Sequence, residues 1–384
     1  MNSSETKRLI GEVLSEIVEE ARGGAKKTAI GLMALGSELG GEELVLGARL
    51  AMENDPMVKV VLIGPKLAGN DDLAWIETPD CEADVAQAME RALGCGTIAG
   101  AVALHYPFPL GVATVGKIVT PARGRACFIA SSTGSASAER VESMIRNAIY
   151  GIAAARANGV KAPTVGLLNL DGAQSALRSL RKLQENGYGI LFGESTRRDG
   201  GPLLRGNDLL AGAADVLVMD TLTGNVMMKL FSSWNSGGDY ETLGWGYGPS
   251  VGEGWGKVVS IISRASGSPV IANALSYTAR SVLGRLPELA AEEIAKAKTA
   301  GLDAIIASLR EKQDMSEKAA APPAEPTDEE IHGIDVLVIE DAVNTLWKEK
   351  IYAESSMGCT GPVIKVAGKN REKSAAVLKQ KGYI

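Results

Sequence analysis

Short apolar runs alternate with longer segments of helical periodicity along most of the chain. Several runs are apolar at consecutive positions, such as VVLIG at 60–64, VGLLNL at 165–170 and VLVMD at 216–220. Continuous apolar runs of this length predict strands that are buried on both faces, as in a parallel sheet covered by helices. The predicted strands are Thr28–Met33, Val58–Gly64, Thr97–Leu104, Ala126–Ser131, Thr164–Leu170, Gly189–Gly193, Val216–Asp220, Ala304–Ala307, Asp335–Ile339 and Val363–Ala367.

Longer stretches between these runs repeat their apolar residues with the spacing of a helix. The predicted helices are Glu43–Asn54, Ala138–Ala157, Ala173–Asn186, Pro287–Ala300 and Arg371–Gln380, with another that begins near Asp341. Strands that alternate with helices in this way predict a three-layer α/β/α sandwich with a mostly parallel, doubly wound sheet.

The pattern divides the chain into four segments. Residues 1–24 predict a helix rather than a signal peptide, because acidic residues occur throughout and a central apolar stretch is missing. Residues 25–315 predict the core of the sandwich. The Pro-, Ala- and Glu-rich residues 316–330 predict a solvated linker or surface loop, after which residues 331–384 are expected to return to the core.

Composition and charge exclude several classes of function. The formal net charge is −6 and basic residues form no block, which argues against a nucleic-acid partner. No apolar run approaches the roughly 20 residues of a membrane span. The four cysteines form no CxxC pair and there are only two histidines, so a metal site is not expected. Unpaired cysteines are typical of a reducing compartment, which predicts a cytoplasmic protein.

Two strand-to-helix turns carry groups suited to a phosphate. In TLTGNV at 221–226, Thr223 and Asn225 offer hydrogen bonds, Gly224 allows close backbone approach, and Lys229 follows one helical turn later. The sequence ASSTGSAS at 130–137 places Ser132, Thr133 and Gly134 at another such turn. The alternative is that Thr223 and these hydroxyls only cap helices and that Lys229 is solvated.

The glycine-rich residues 243–257 (LGWGYGPSVGEGWGK) do not form a nucleotide-binding loop. Before Gly256 and Lys257 that motif would need glycine at position 251 and serine or threonine at 258, and both positions hold valine. We expect a flexible loop with aromatic residues at its tip, which would serve as a lid or a partner surface, or else a plain loop.

Cys359 lies in the sequence GCTG, flanked by Gly358, Thr360 and Gly361, just before an apolar strand. A structural cysteine normally lies inside an apolar run, as Cys127 does. In a turn of small residues a thiol is accessible, and backbone N–H groups can converge on it. The backbone N–H groups of Thr360 or Gly361 would stabilise the oxyanion that develops when a thioester on this cysteine is attacked. The pattern predicts a nucleophile that carries an acyl group as a thioester. The alternative is a small residue that fills a tight turn.

These stretches together resemble the phosphate acyltransferase family of phospholipid synthesis, which shares its fold with phosphotransacetylases. The resemblance runs from about residue 28 to the end, and its segments include PTVGLLNLDG at 163–172, ADVLVMDTLTGNVMMK at 214–229 and GPVIKVAGKNREKSAAVLKQKGYI at 361–384. Relative to that family, the N-terminal helix, the loop at 237–256 and the Pro-rich linker are additional, and so is Cys359.

With ESSMGCTGPV at 354–363, the chain more closely resembles the alpha (smaller) subunits of protein C in glycine/sarcosine/betaine reductase complexes. The resemblance implies that Cys359 accepts a two-carbon unit from the carboxymethyl-selenocysteine of selenoprotein A and holds it as an acetyl thioester. Inorganic phosphate, as a substrate, would then release acetyl phosphate, with no other cofactor. The implied partners are selenoprotein A and the larger beta subunit of protein C, in a homo- or hetero-oligomer.

Two other functions stay open at this point. One is a direct phosphate acyltransferase, which moves an acyl group from a carrier thioester to phosphate without a covalent enzyme intermediate. The other is a non-catalytic scaffold that docks a larger catalytic subunit through the tryptophan-bearing residues 234–255.

Overall fold

A computed structural model describes residues 27–197, 200–315, 320–334, 338–358 and 361–384. The predicted N-terminal helix therefore lies outside the described residues, as do parts of the predicted linker and of the predicted strand Asp335–Ile339. The chain divides into two compact units, residues 1–302 and 303–384, which are described separately below.

The larger unit alternates strands and helices, as the apolar pattern predicts. Its strands are β1 Thr28–Met33, β2 Val58–Gly64, β3 Ala74–Glu77, β4 Gly100–Ala103, β5 Val112–Val119, β6 Ala126–Ser135, β7 Thr164–Leu168, β8 Leu191–Phe192, β9 Leu203–Leu204, β10 Val216–Val218, β11 Gly248–Gly252 and β12 Val259–Ile261. Its helices are α1 Gly41–Asn54, α2 Glu82–Gly94, α3 Arg140–Ala157, α4 Ala173–Glu185, α5 Gly206–Ala211, α6 Thr221–Ser232, α7 Ser268–Leu283 and α8 Leu286–Thr299.

All twelve strands form one sheet in the order β3-β2-β1-β4-β12-β11-β5-β6-β10-β7-β8, with β9 paired to β7. Most neighbours are parallel, and in the described residues the antiparallel pairings are those that β11 makes with β12 and β5, and that β5 makes with β6. Three successive reversals separate β12 from β6. The two parallel halves of the sheet therefore run in opposite directions.

Helices cover both faces of this sheet. A side chain added at Gly224 on α6 would meet Ile129, whereas one added at Gly151 on α3 would meet Ala130. Because Ile129 and Ala130 are consecutive in β6, their side chains point to opposite faces, and so α6 and α3 lie on opposite sides. The predicted three-layer, mostly parallel α/β/α architecture is confirmed.

The glycine-rich residues 243–257 differ from the flexible loop expected from the sequence. They contain β11, which is buried and lies in the middle of the sheet. Gly248 has φ 82°, and a Cβ at this position would lie 1.7 Å from the carbonyl oxygen of Val115. Glycine here allows two strands to approach closely, rather than making the segment mobile. Trp255 in this segment donates to Ser250 Oγ at 2.8 Å, whereas Trp234, which precedes the segment, is 64% exposed.

The smaller unit has its own sheet and core. Its strands are β13 Glu329–Ile331, β14 Ala353–Gly358 and β15 Gly361–Val366, and its helices are α9 Leu302–Met315, α10 Ile339–Lys348 and α11 Arg371–Gln380. The strands pair antiparallel in the order β13-β15-β14. The core includes Leu346, Ala353, Ile364 and Leu378, each fully buried. The sequence had suggested that these strands return to the main sheet; those described pair with one another instead.

One predicted strand is part of a helix in the structure: Ala304–Ala307 lies inside α9. Of the predicted strand Asp335–Ile339 only the last two residues are described, and Ile339 begins α10. A short apolar run such as AIIA or VLVI fits a buried strand and a helix equally well, so its neighbours in the fold decide between them.

In the described part of the chain, no helix is both long and apolar enough to cross a membrane. The same residues contain no group of three or more His, Cys, Asp or Glu side chains that could hold a metal ion.

Lys117 on β5 is surrounded by aromatic rings. Its Nζ lies 4.4 Å from the centre of the Trp245 ring, 5.5 Å from that of Phe128 and 5.6 Å from that of Tyr277. Burial, with a smaller contribution from the Arg280 charge, lowers the pKa of Lys117 to about 8 from 10.5. Between pH 8 and pH 10.5 the folded chain therefore binds fewer protons than the unfolded chain. Below about pH 8, the buried charge of Lys117 lowers the free energy of unfolding.

We therefore expect Lys117→Met to raise the free energy of unfolding at pH 7 by about 1–2 kcal/mol, because the rings already offset part of the desolvation cost. The difference in the free energy of unfolding between the variant and the wild type should shrink as pH rises from 8 to 10.5. In this range the lysine is already neutral in the folded chain but still charged in the unfolded chain. Lys257 is the control, since it lies 5.5 Å from the Trp255 ring but pairs with Glu90 at 2.6 Å. Lys257→Met should not stabilise the protein in urea titrations at either pH.

Candidate active site

The carboxyl ends of strands from both halves of the sheet meet at one level. Ile261, the last residue of β12, pairs with Gly248, which lies against Val115. Val115 pairs with Ala130, and Ala130 pairs with Val218, the last residue of β10. The strands that end here approach from opposite directions. Ligands of open α/β sheets bind at such carboxyl ends.

A cavity of about 260 Å³ lies where these strand ends meet. Its walls come from the segments that follow β1, β4 and β12, from β6, from α6 and from the residue before β11. The lining residues are Glu38, Leu104, Thr133, Asn225, Lys229, Tyr247, Ile261, Ile262, Ser263 and Arg264. The volume suits a small anion together with a short acyl group, since sites for drug-sized ligands begin near about 300 Å³.

Helix α6 forms one wall of the cavity and begins at the end of β10. Asp220 caps the helix: its carboxylate accepts from the Thr223 backbone N–H at 3.1 Å and from Thr223 Oγ1 at 2.7 Å. The N-terminal cap is thus Asp220 rather than Thr223. The Thr223 hydroxyl donates its proton to the Asp220 carboxylate. Asn225 and Lys229 are four residues apart, so both project from the same side of the helix, toward the cavity.

Helix α6 is held against β6 by a glycine and an amide. A Cβ at Gly224 would lie 1.8 Å from the carbonyl oxygen of Ser131, so no other residue fits without displacing the helix. One residue later, Asn225 Nδ2 donates to the carbonyl oxygen of Ser132 at 3.1 Å. These contacts fix the distance between the cavity wall on α6 and the polar end of β6.

The polar end of β6 is organised by Thr114 of the neighbouring strand. Ser132 is buried, and its hydroxyl donates to the Tyr247 carbonyl at 2.5 Å and lies 2.8 Å from Thr114 Oγ1. The Thr133 backbone N–H donates to Thr114 Oγ1 at 3.1 Å, and its side chain lines the cavity. Gly134 has φ 70° and would bring a Cβ to 2.5 Å from the Val112 carbonyl oxygen.

Three charged side chains line the cavity. Lys229 forms no ion pair with any described residue, and its Nζ lies 5.5 Å from the centre of the Tyr247 ring. Arg264 Nη2 donates to Glu82 Oε1 at 3.0 Å, which leaves part of its guanidinium for a ligand. Glu38 is the acid among them. The two cations, the second N–H of the Asn225 amide and the Thr133 hydroxyl, which lies 3.0 Å from Thr114 Oγ1, suit an oxyanion.

A buried carboxylate supports the Tyr247 wall. Tyr247 Oη donates to Glu241 Oε1 at 2.7 Å, and Ser266 Oγ donates to Glu241 Oε2 at 3.0 Å. Burial raises the pKa of Glu241, while these two hydrogen bonds and the Lys229 charge act in the opposite direction. Burial and the Glu241 charge both raise the pKa of Tyr247, so its hydroxyl stays protonated and donating.

The structure brings some of the predicted phosphate residues to one cavity. Thr133, Asn225 and Lys229 line it, while Ser132, Gly134, Thr223 and Gly224 form the supporting framework. Whether any of them binds phosphate stays a prediction. Cys359 and Thr360 lie outside the described residues. Gly358 and Gly361, which flank them, end β14 and begin β15 and face each other in that pairing.

Sequence reasoning missed Tyr247, Arg264 and Glu38. Tyr247 belongs to the glycine-rich segment that was interpreted as a loop. Arg264 follows VVSII at 258–262, an apolar run that ends in polar residues like the other strand ends and could have been recognised by that signal. Glu38 follows β1 after a short turn of glycine and serine and has no distinctive pattern around it.

Comparison with known proteins shows which sequences this chain is similar to. The family model described as Fatty acid synthesis protein matches residues 28–365. The alpha subunit of the glycine/sarcosine/betaine reductase complex component C from Peptoclostridium acidaminophilum is 47% identical over 386 residues, covering 99% of this chain and 100% of that one. A phosphate acyltransferase from Anoxybacillus flavithermus is 26% identical over 242 residues, covering 52% of this chain and 70% of that one.

Among solved structures, a branched-chain phosphotransacylase from Enterococcus faecalis V583 superposes with a TM-score of 0.47 at 16% identity, over 67% of this chain and 99% of that one. The match to the family model spans well over half of the sequence, and the reductase subunit is similar over nearly the whole of both chains. The chain therefore belongs to the Fatty acid synthesis protein family and to the family of component C alpha subunits of glycine/sarcosine/betaine reductase complexes.

Proposed function

We propose that this chain transfers an acyl group to inorganic phosphate and releases an acyl phosphate, as the alpha subunit of a glycine/sarcosine/betaine reductase component C. The observation that carries the proposal is the cavity between the two halves of the sheet, where an unpaired Lys229 ammonium and a partly free Arg264 guanidinium face the same small volume. The names of the similar proteins support the same chemistry, since they include phosphate acyltransferases as well as the reductase subunit.

In this proposal the cavity binds phosphate as the nucleophile. Lys229 and Arg264 neutralise its charge, while the Thr133 hydroxyl and the second N–H of the Asn225 amide donate to its oxygens. The contact of Asn225 with the Ser132 carbonyl fixes the orientation of the amide before phosphate arrives. Holding the nucleophile in one orientation lowers the entropic part of the barrier to attack.

The acyl group would reach phosphate from a thioester on Cys359, with acetyl as the two-carbon unit. A phosphate oxygen attacks the carbonyl carbon of the thioester, a C–O bond forms, and the C–S bond breaks. The Cys359 thiolate leaves with the electron pair, and acetyl phosphate is released. A thiolate is both a strong nucleophile and a good leaving group, which makes it suited to an intermediate carrier. Support for Cys359 comes from its glycine-flanked sequence and from the family resemblance.

The partners in this proposal are the larger beta subunit of component C and a selenoprotein A that carries the two-carbon unit as a carboxymethyl-selenocysteine. The similarity to a protein named as one subunit of a reductase complex supports the existence of further subunits. The identity of the selenoprotein rests on the family resemblance alone.

Isotope exchange tests the proposal without any partner protein. The full chain is incubated with acetyl phosphate and [32P]phosphate, and label in acetyl phosphate is measured. A thioester intermediate predicts exchange with no added carrier, because the free enzyme is acetylated and phosphate reverses the step. Exchange that appears only when a carrier thiol is added would indicate direct transfer. No exchange and no phosphate binding under any condition would indicate a scaffold.

Lys229→Met is expected to raise the phosphate concentration needed for half-maximal exchange about 10-fold or more, because a charge-assisted contact is worth about 1.5–3 kcal/mol. Lys229 is exposed, so the free energy of unfolding should change little. Lys182→Met on α4 removes an equally exposed lysine away from the cavity and should leave the exchange kinetics unchanged. Equal effects of the two substitutions would contradict a local role for Lys229.

A further inference from the structure

The cavity holds an acid where a simple anion site would have none. Glu38 follows β1, and its backbone N–H donates to the Arg264 carbonyl at 2.8 Å, which fixes the residue beside that cation. Its side chain lines the cavity together with Lys229 and Arg264. Within the described ranges, Glu38 forms no ion pair with either cation, and Arg264 pairs with Glu82 instead. The Glu38 carboxylate is therefore available to a ligand.

A free carboxylate acts on an oxyanion in one of two ways. Because an ionised carboxylate has only acceptor positions, it attracts a ligand oxygen that carries a proton and repels one that does not. Inorganic phosphate keeps at least one P–OH group near neutral pH, whereas sulfate of the same shape is fully ionised and has none. Lys229 and Arg264 alone cannot make this distinction, since both only donate and would bind either anion.

We propose that Glu38 is the residue that selects phosphate over fully ionised oxyanions, by accepting a hydrogen bond from the protonated phosphate oxygen. This inference rests on the proposed function and specifies which substrate the cavity accepts. An O–H···O⁻ contact of this kind is charge-assisted and short, and it offsets the repulsion between the two anions. The Glu38 carboxylate repels sulfate in the same way, but sulfate has no proton to donate to it. The carboxylate therefore selects phosphate by making an unfavourable contact with sulfate.

The selected phosphate would also be oriented by Glu38. The oxygen that carries the proton faces the carboxylate, and the unprotonated oxygens face Lys229, Arg264 and the donors on β6 and α6. An unprotonated oxygen is the better nucleophile toward a thioester carbonyl. Glu38 acts here through binding and orientation, with no bond made or broken at its own carboxylate.

Competition binding to the full chain tests the inference. Retention of [32P]phosphate in equilibrium dialysis is measured against added sulfate and against added arsenate, which is tetrahedral like sulfate but keeps a proton as phosphate does. Wild-type chain is expected to favour phosphate over sulfate by about 10- to 100-fold, the scale of one hydrogen bond to a charged group, which phosphate makes and sulfate lacks. Arsenate should compete with phosphate almost equally.

Glu38→Gln should lower the discrimination against sulfate at least about 10-fold and leave the arsenate-to-phosphate ratio unchanged, because the amide can donate to sulfate and still accept from a P–OH group. Glu42→Gln on α1 is the matched control, since Glu42 is exposed and does not line the cavity. An unchanged sulfate-to-phosphate ratio in Glu38→Gln, or no phosphate retention by the wild type, overturns the inference. If phosphate binds selectively but exchange into acetyl phosphate is absent, the proposed function fails and the role of Glu38 stands.

Discussion

Replacing Cys359 with serine is expected to lower the rate of phosphate–acetyl phosphate exchange by about 1,000-fold or more, the scale seen when a catalytic nucleophile is removed. Serine keeps the size of the side chain but exchanges a thiol for an alcohol. An alcohol ionises far less readily, and its ester is less reactive toward phosphate than a thioester. Both half-reactions should therefore slow, while phosphate binding at the cavity is unchanged.

Cys95 provides the matched control for this substitution. Cys95 is exposed, and hydrogen bonds from the Thr97 side chain and backbone lower the pKa of its thiol. Cys95 is thus an accessible thiol with a lowered pKa, and it does not line the cavity described above. Cys95→Ser should exchange at the wild-type rate. If the two serine variants exchange equally fast, the thioester assignment to Cys359 is refuted.

Gly224→Ala should have the largest structural effect. In a helix interior alanine is normally more stable than glycine by about 1 kcal/mol. At Gly224, however, the added Cβ would meet the Ser131 carbonyl oxygen at 1.8 Å, and backbone atoms cannot yield as a flexible side chain does. We expect a loss of about 3 kcal/mol in the free energy of unfolding, because the clash outweighs the gain in propensity.

The same substitution should also reduce activity. Moving α6 away from β6 displaces Asn225 and Lys229 from the cavity, and a shift of about 1 Å in a positioning group can cost about 100-fold in rate. Gly94→Ala is the control: Gly94 ends α2, has no atom within 4 Å of its would-be Cβ, and should give stability equal to or slightly above the wild type. Wild-type stability and exchange in Gly224→Ala would show that the tight contact between α6 and β6 is not needed.

Several strands and helices could be predicted from the local sequence alone. β1 and β2 are mostly apolar and buried, and their predicted bounds agree with the structure. Helix α11 was likewise predicted at its observed bounds. These elements are correct because local propensity, apolar pattern and burial all favour the same structure.

The middle of the sheet could not be predicted in this way. β11 consists of small and polar residues, and its glycines serve contacts with a strand more than a hundred residues earlier in the chain. Such a strand is specified by its neighbours rather than by its own pattern. The antiparallel reversals at β11 and β5 were unpredicted for the same reason, although they bring the two sets of strand ends together.

The candidate site was only partly predictable. Asn225 and Lys229 come after an apolar strand, so their position near a strand end could be inferred. Ser132, Thr133 and Gly134 were predicted in a strand-to-helix turn but lie within β6, which continues to Ser135. Arg264 and Glu38 reach the same cavity through long-range register, since β1 and β12 flank β4. The position of a residue that follows a short strand can be predicted only when the neighbours of that strand in the sheet are known.

Trapping the acyl-enzyme tests the proposed thioester on Cys359 directly. The full chain is incubated with acetyl phosphate, freed of phosphate, and analysed by intact mass and peptide mapping. We expect one acetyl group per chain, located on Cys359 and released as acetyl phosphate when phosphate is added back. Unmodified Cys359 in a chain that still exchanges phosphate at the normal rate would contradict it.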